Sequence, residues 1–225
     1  MTDSKKFAVV LSGCGVFDGS EIHEAVSLLT AIDKASCSYQ CFAPNSWQAK
    51  TIDHFTGQAS AVAGDDDNRN VLAEAARIAR GNILPLSQFN PLNFDVLAFP
   101  GGMGAALNLS NFAEKGPLCD IHKEVEQAIS GSYNNHLIIA AMCIAPVLLA
   151  RVLGKYHVKI TLGNDKNLAQ GIQKTGAIHE NHDVLGVCLD EKNRVVTTPA
   201  YMLAKRISDV AIGAENLVRA CLNLD

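Results

Sequence analysis

The sequence predicts an α/β fold: a mostly parallel sheet with helices packed on both faces. Three observations carry that reading. Apolar runs at Lys6–Leu11, Asp95–Phe99 and Leu137–Ala141 lack the polar alternation of a half-exposed strand, so each reads as a strand buried on both sides. Segments with helical spacing fall between these runs. Glycine-rich turns follow the first and third strands directly, at Gly13–Gly15 and Gly101–Gly104. The 225 residues suffice for one such domain, 1–225, and show neither linker nor repeat.

The elements follow in order. Lys6–Leu11 is the first strand, and Asp18-Gly-Ser20 is placed to cap a helix reaching Lys34, with Ile22, Ala25, Val26 and Leu29 on its apolar face. Tyr39–Ala43 reads as the second strand. The pattern weakens between Trp47 and Asp67, where Gly57, Gly64 and the run Asp65–Asp67 mark loops; that acidic run is read as solvated rather than as a cation site. Val71–Arg80 is a helix stopped by Gly81, and Asp95–Phe99 a strand. Asp120–Ser130 is a helix. Val158–Leu162 reads as a strand, and Lys166–Thr175 as a helix ended by Gly176. Val184–Leu189 and Val195–Thr198 flank Asp190–Arg194 as a hairpin, and Leu203–Leu222 closes the chain as an amphipathic helix.

Composition narrows the function classes. A net charge of −4 without a basic stripe argues against nucleic acid as a partner. Seven cysteines, an odd number with no C-x-x-C pair, read as reduced thiols in a cytoplasm-like compartment. Cys37 and Cys41 are placed in the core. Lys5-Lys6 followed by Phe7–Leu11 and Cys14 mimics a lipidation signal, but its apolar stretch is shorter than the roughly 7–15 residues such a signal needs. Leu137–Ala150 falls short of the ~20 residues of a membrane span and contains Pro146, so no membrane association is expected.

The chemistry centres on Cys143. The strand Leu137–Ala141 runs almost directly into a helix over Ile144–Leu153, with Pro146 in the first turn, where a missing N–H costs little. A side chain on such a tight junction is pushed out of the sheet. The helix N-terminus behind it favours a thiolate, the reactive form of cysteine; the alternative is a buried core cysteine. Gly101-Gly-Met-Gly-Ala-Ala106 misses the dinucleotide spacing because Leu107 takes the last glycine position, so no cofactor is expected. Its glycines serve either a tight turn or a backbone nest, in which the Gly102 and Ile144 N–H groups form an oxyanion hole.

Glu21 and Glu24 lie one turn apart at the start of the first helix. Either can reach over the sheet end toward Cys143, with Glu21 nearer the helix start. A carboxyl beside a thiol gives a coupled pair able to act as nucleophile and acid/base. Acidic residues also favour helix N-termini for electrostatic reasons alone. His23 is assigned to a different face. His179 and His182 have a spacing that suits a metal on a helix, but the surrounding residues read as loop, and no metal is expected.

Four segments together resemble one family: Leu11–Glu24 (LSGCGVFDGSEIHE), Pro100–Ala106 (PGGMGAA), Met142–Pro146 (MCIAP) and Val196–Met202 (VTTPAYM). They are similar to the ElbB-type proteins of the ThiJ/PfpI superfamily, with the class I glutamine amidotransferase-like fold. The resemblance covers nearly the whole chain. It implies a flavodoxin-like sandwich, a homodimer, Cys143 on a nucleophile elbow and a glutamate beside it, mapping to Glu21 or, with a shifted gap, Glu24. It also implies a link by name to isoprenoid synthesis and a cofactor-independent glyoxalase activity on a small aldehyde. Two departures matter. Ile144 stands where many superfamily peptidases carry histidine. The elbow Ala141–Ala145 and the late segment Thr197–Tyr201 lack the Gly-x-Cys-x-Gly and His-x-Glu of the glutaminases. Neither peptidase nor glutaminase activity is therefore expected. The rival to the enzymatic reading is a redox-responsive or scaffold protein with a reversibly oxidised cysteine.

Overall fold

In the computed structural model, which describes residues 4–59 and 69–224, strand β1 (Lys6–Val10) leads into helix α1 (Ile22–Lys34), and β2 (Ser38–Ala43) follows. A hairpin of β3 (Ile52–Asp53) and β4 (Gln58–Ala59) precedes α2 (Val71–Ile78) and β5 (Ile83–Pro85). Next come β6 (Val96–Phe99), the short helices α3 (Met103–Leu107) and α4 (Phe112–Lys115), and α5 (Lys123–Asn134). Strand β7 (Ile138–Met142) enters α6 (Pro146–Leu153) through the Cys143 turn. The order ends with β8 (Lys159–Ile160), α7 (Lys166–Gln173), β9 (Ile178–His179), β10 (Cys188–Asp190), β11 (Val195–Thr198) and α8 (Ile207–Asn223).

Seven strands form one sheet in the order β10-β11-β7-β6-β1-β2-β5, parallel throughout except for the β10–β11 hairpin. Alternate residues of its central strands feed two separate cores. Phe7 and Val9 of β1, Val96 and Ala98 of β6, and Ile138, Ala140 and Met142 of β7 pack under α1, α2 and α8. Ala8 and Val10, Leu97 and Phe99, and Ile139 and Ala141 pack under α3, α5, α6 and α7. With both faces covered, a polar residue in these strands would be buried unpaired, which is why the runs are uniformly apolar. Burying each large side chain, such as Phe7 or Phe99, is worth roughly 1.5–3 kcal/mol. The result is a flavodoxin-like α/β sandwich.

The topology also gathers the loops. Strands β1, β6, β7 and β11 run parallel and occupy adjacent positions, so the segments leaving their carboxyl ends emerge side by side.

Several local expectations are corrected. The N-cap of α1 is Glu21, whose carboxylate accepts from the Glu24 N–H, and not the Asp18–Ser20 segment. Asp18 is buried and accepts from the Ile52 N–H, while the Ser20 hydroxyl accepts from the Ser12 N–H. On α1, Ala25, Leu28, Leu29 and Ile32 form the buried face, while Ile22 and Val26 are exposed. Strand β8 pairs only with β9, outside the main sheet. Its Lys159 N–H donates to the Asp190 carboxylate, and the following Thr161 N–H to the Thr197 hydroxyl, so side chains take donors that a sheet neighbour would otherwise engage. Strand β5 escaped the sequence because it is short and ends in Pro85, a residue tolerated only at a sheet edge. The Asp65–Asp67 run and Gly64 lie outside the described residues.

Candidate active site

Cys143 occupies the turn between β7 and α6 with φ of +59°, a left-handed conformation that non-glycine residues adopt only where the surroundings hold them. Its own N–H donates to the Thr198 carbonyl of β11, and the Ala145 N–H closes the turn onto the Met142 carbonyl. The junction therefore has the strained geometry of a nucleophile elbow. The side chain is 8% exposed.

The carboxyl that meets the sulfur belongs to Glu24. It shares a hydrogen bond with the Cys143 thiol and is completely buried. Two backbone donors fix its orientation: the Gly101 N–H reaches one oxygen at 3.0 Å and the Tyr201 N–H the other at 3.1 Å. Glycine at 101 is a steric requirement, because a Cβ there would fall 2.5 Å from Glu24 Oε2 and 3.1 Å from the Cys143 sulfur. Glu21, the carboxylate nearer the helix start, does not pair with the thiol. Its Oε2 holds the Glu24 N–H at 2.7 Å, and its Oε1 lies 3.7 Å from His23 Nδ1. Position along the helix misled here because the N-cap carboxylate of Glu21 is consumed by the cap, leaving Glu24 in the first turn to reach over the sheet edge.

The backbone N–H groups of Gly102 and Ile144 lie near enough to the Cys143 sulfur to favour its charged form. Gly102 has φ of +100° and serves as N-cap of α3, so its segment is both a tight turn and a source of donors. The loops that carry these groups are tied together: the Glu21 N–H donates to the Gly101 carbonyl at 2.9 Å, Met103 N–H to Val16 at 2.8 Å, and Gly104 N–H to Gly19 at 2.8 Å.

Electrostatics couple the pair. Burial raises the Glu24 carboxyl to about 7, against the opposing pull of its hydrogen bonds from Tyr201, Cys143 and Gly101. Burial, and then the adjacent Glu24 charge and hydrogen bond, push the Cys143 thiol well above its usual range, with the Gly102 and Ile144 N–H groups acting in the other direction. The expected resting thiolate is thus corrected: desolvation and a like charge outweigh the helix terminus. One proton is held between thiol and carboxyl, and Glu24 is the group whose ionisation falls near neutrality.

One participant, Tyr201, was not singled out in the sequence. Tyr201 supplies a backbone donor to Glu24 from the Thr197–Tyr201 segment, and its hydroxyl shares a 2.8 Å hydrogen bond with His23 Nδ1. His23 is thereby linked to Tyr201 and Glu21, residues of two segments that carry the site. A backbone contribution leaves no residue signature, which is why Tyr201 escaped notice. Of the remaining candidates, His179 Nε2 accepts from the Leu162 N–H at 3.1 Å, remote in sequence and on the β8–β9 ribbon.

No protein-family model matches the chain. A human protein, the mitochondrial glutamine amidotransferase-like class 1 domain-containing protein 3, is 41% identical over 228 residues, covering 97% of this chain and 83% of that protein. Its name places it in the mitochondrion, which gives a cytoplasmic location for the present chain no support. Among the described residues no helix is long and apolar enough to cross a membrane. A crystal structure of an isoprenoid biosynthesis protein with an amidotransferase-like domain from Ehrlichia chaffeensis superposes with a TM-score of 0.90 at 34% identity, covering 98% of this chain and 99% of that one. Glyoxalase III from Candida albicans shares the fold, with a TM-score of 0.60 at 15% identity over 96% of this chain and 97% of that one. The elbow, the glutamate on the first helix and these likenesses converge: the chain belongs to the glutamine amidotransferase-like class 1 domain proteins.

Proposed function

We propose that the chain is a cofactor-independent glyoxalase-like enzyme that converts glyoxal or methylglyoxal to a 2-hydroxy acid. The observation that carries this reading is the Cys143 thiol hydrogen-bonded to the buried Glu24 carboxyl, with the Gly102 and Ile144 N–H groups near the same sulfur.

The sulfur attacks the aldehyde carbon while its proton passes to Glu24, forming a C–S bond and a hemithioacetal. Negative charge moves from sulfur to the adjoining oxygen, within the reach of the two N–H donors. Loss of the C1 proton to a base and its return to C2 through an enediol moves the electron pair within the substrate, leaving a 2-hydroxy thioester. Water cleaves the C–S bond, the thiol regains its proton, and the balance is one dicarbonyl plus one water to one hydroxy acid. Glu24 takes the shuttling role that spacing had favoured for Glu21. Exposed apolar side chains nearby, Val16 and Phe17 on the loop after β1 and Met103 at the start of α3, favour a small uncharged carbonyl over glutamine. The isoprenoid association named for the Ehrlichia protein is part of the same proposal. A redox-sensing role draws on the same thiol, but burial and a raised titration make Cys143 a poor target for oxidants.

The test is incubation of purified protein with glyoxal, methylglyoxal and a panel of amides, without glutathione. Hydroxy-acid formation is expected and is expected to fall to background in Cys143→Ser. Undiminished aldehyde consumption in that variant sinks the catalytic reading, and ammonia release from glutamine would point to glutaminase chemistry instead.

A further inference from the structure

The second cluster of chemistry-bearing side chains lies on the far side of β11, away from the elbow. Glu180 directly follows strand β9, His182 lies two residues further on, and the first residue of β10 is Cys188. Glu180 Oε2 lies 3.7 Å from Cys188 Sγ and 3.7 Å from His182 Nε2, and the three donor atoms all fall within 4.8 Å of one another. We propose that Glu180, His182 and Cys188 bind one divalent transition-metal ion of the zinc type, leaving a fourth coordination position open.

The distances fit that ion. Bonds of about 2.0–2.2 Å to nitrogen and oxygen and about 2.3 Å to sulfur put tetrahedral ligands roughly 3.3–3.6 Å apart. The two 3.7 Å separations need to shrink by only a few tenths of an ångström, and the third, within 4.8 Å, by about an ångström at most. The donors, one thiolate, one imidazole and one carboxylate, are the set zinc and cobalt prefer, whereas magnesium and calcium favour oxygen ligands throughout.

The scaffold holds the donors ready. The Glu180 N–H is fixed to the Ile160 carbonyl at 2.9 Å, and the Gly186 carbonyl accepts from the Thr198 hydroxyl at 2.8 Å. A Cβ at Gly186 would sit 3.2 Å from His182 Nδ1, so the turn closes tightly around the imidazole. Lys159 Nζ occupies Glu180 Oε1 at 2.9 Å and leaves Oε2 for the ion, as outer-shell partners of ligating carboxylates do. His179, the neighbour in the sequence motif, is not a ligand because its Nε2 already holds the Leu162 N–H. The Glu180 and His182 side chains are 37% and 26% exposed, and a cleft lined by Asn164, Asn181, Asp183 and Leu203 reaches His182, giving the ion a way in. Binding displaces the Cys188 proton to solvent as the metal–sulfur bond forms.

Cobalt(II) titration of the full chain tests the proposal, since a tetrahedral thiolate site gives visible d–d bands and a sulfur-to-cobalt charge-transfer band. One equivalent should develop both in the wild type and in Cys143→Ser. The charge-transfer band should vanish in Cys188→Ser, and affinity should fall in His182→Ala by more than the roughly 10–100-fold typical of outer-shell changes. Glu180→Gln, a partly exposed change that spares the core, should weaken binding even if Cys188→Ser fails to fold. Absence of a thiolate band in the wild type, its survival in Cys188→Ser, or its loss in Cys143→Ser would overturn the assignment.

Discussion

Two buried thiols in this molecule each share a hydrogen bond with a glutamate: Cys143 with Glu24, and Cys188 with Glu180. Burial pushes both thiols up, Cys188 to about 12. The carboxyls differ. Glu24 is wholly buried with only neutral donors around it, and burial lifts it to about 7. Glu180 is partly exposed and paired with the Lys159 ammonium, which lowers it. At neutral pH the first pair can pass a proton between its members, while the second presents a fixed carboxylate beside a thiol. On the roles proposed above, the same two residue types serve as a nucleophile with its base in one place and as a metal-type donor set in the other. The environment of the carboxylate decides which.

The largest effect expected from breaking this contrast is kinetic. Glu24→Gln keeps the shape but cannot accept a proton, so aldehyde turnover should fall roughly 10²–10⁴-fold, the usual contribution of a general base. Steady-state rates on methylglyoxal check this, and a loss below tenfold would remove Glu24 from the chemistry.

Next is a pH effect on stability, opposite in sign at the two sites. Glu24 ionises near 7 when folded against an ordinary 4.5, so between those values the native chain keeps a proton that the unfolded chain has released. Stability from this group is full below about 4.5 and is lost as pH rises through about 7, on the order of 3 kcal/mol in all. Glu180, lowered by Lys159, contributes only above its ordinary range and loses that contribution on acidification. Urea melts at pH 4.5 and 7.5 should show the first dependence in the wild type and its absence in Glu24→Gln.

The smallest effect concerns the carboxylate that stands closest to Glu24 in the chain. Glu21→Ala removes the α1 cap and should cost about 1 kcal/mol, read as a lower melting temperature. Its effect on turnover should be smaller than that of Glu24→Gln. A greater loss of turnover would restore Glu21 to the proton transfer.

The sheet was legible because β1, β6 and β7 are covered on both faces and so are written as apolar runs. The elbow was legible because Pro146 marks where its helix begins. The choice between Glu21 and Glu24 was not, since two glutamates at helical spacing look alike until the cap claims one. Tyr201 was hidden for a different reason: it acts through its backbone N–H. The Glu180–His182–Cys188 cluster was unreadable because a turn brings Cys188 back onto residues whose spacing alone suggested a different pair, His179 and His182. Strand β5 went unread because it is short and ends in an edge proline, whereas β8 was read as a strand and only its place outside the main sheet, where side-chain acceptors take its donors, was not legible.

The central claim is that Glu24 takes the proton of Cys143, and the most direct test is the pH profile of Cys143 alkylation. Limiting iodoacetamide followed by mass spectrometry gives the rate at this thiol in the wild type and in Glu24→Gln. The wild-type rate should rise with a midpoint near pH 7, where Glu24 ionises, and that step should be missing from Glu24→Gln. Superimposable profiles, or labelling of the partly exposed Cys14 and Cys37 with Cys143 untouched at every pH, would contradict the account.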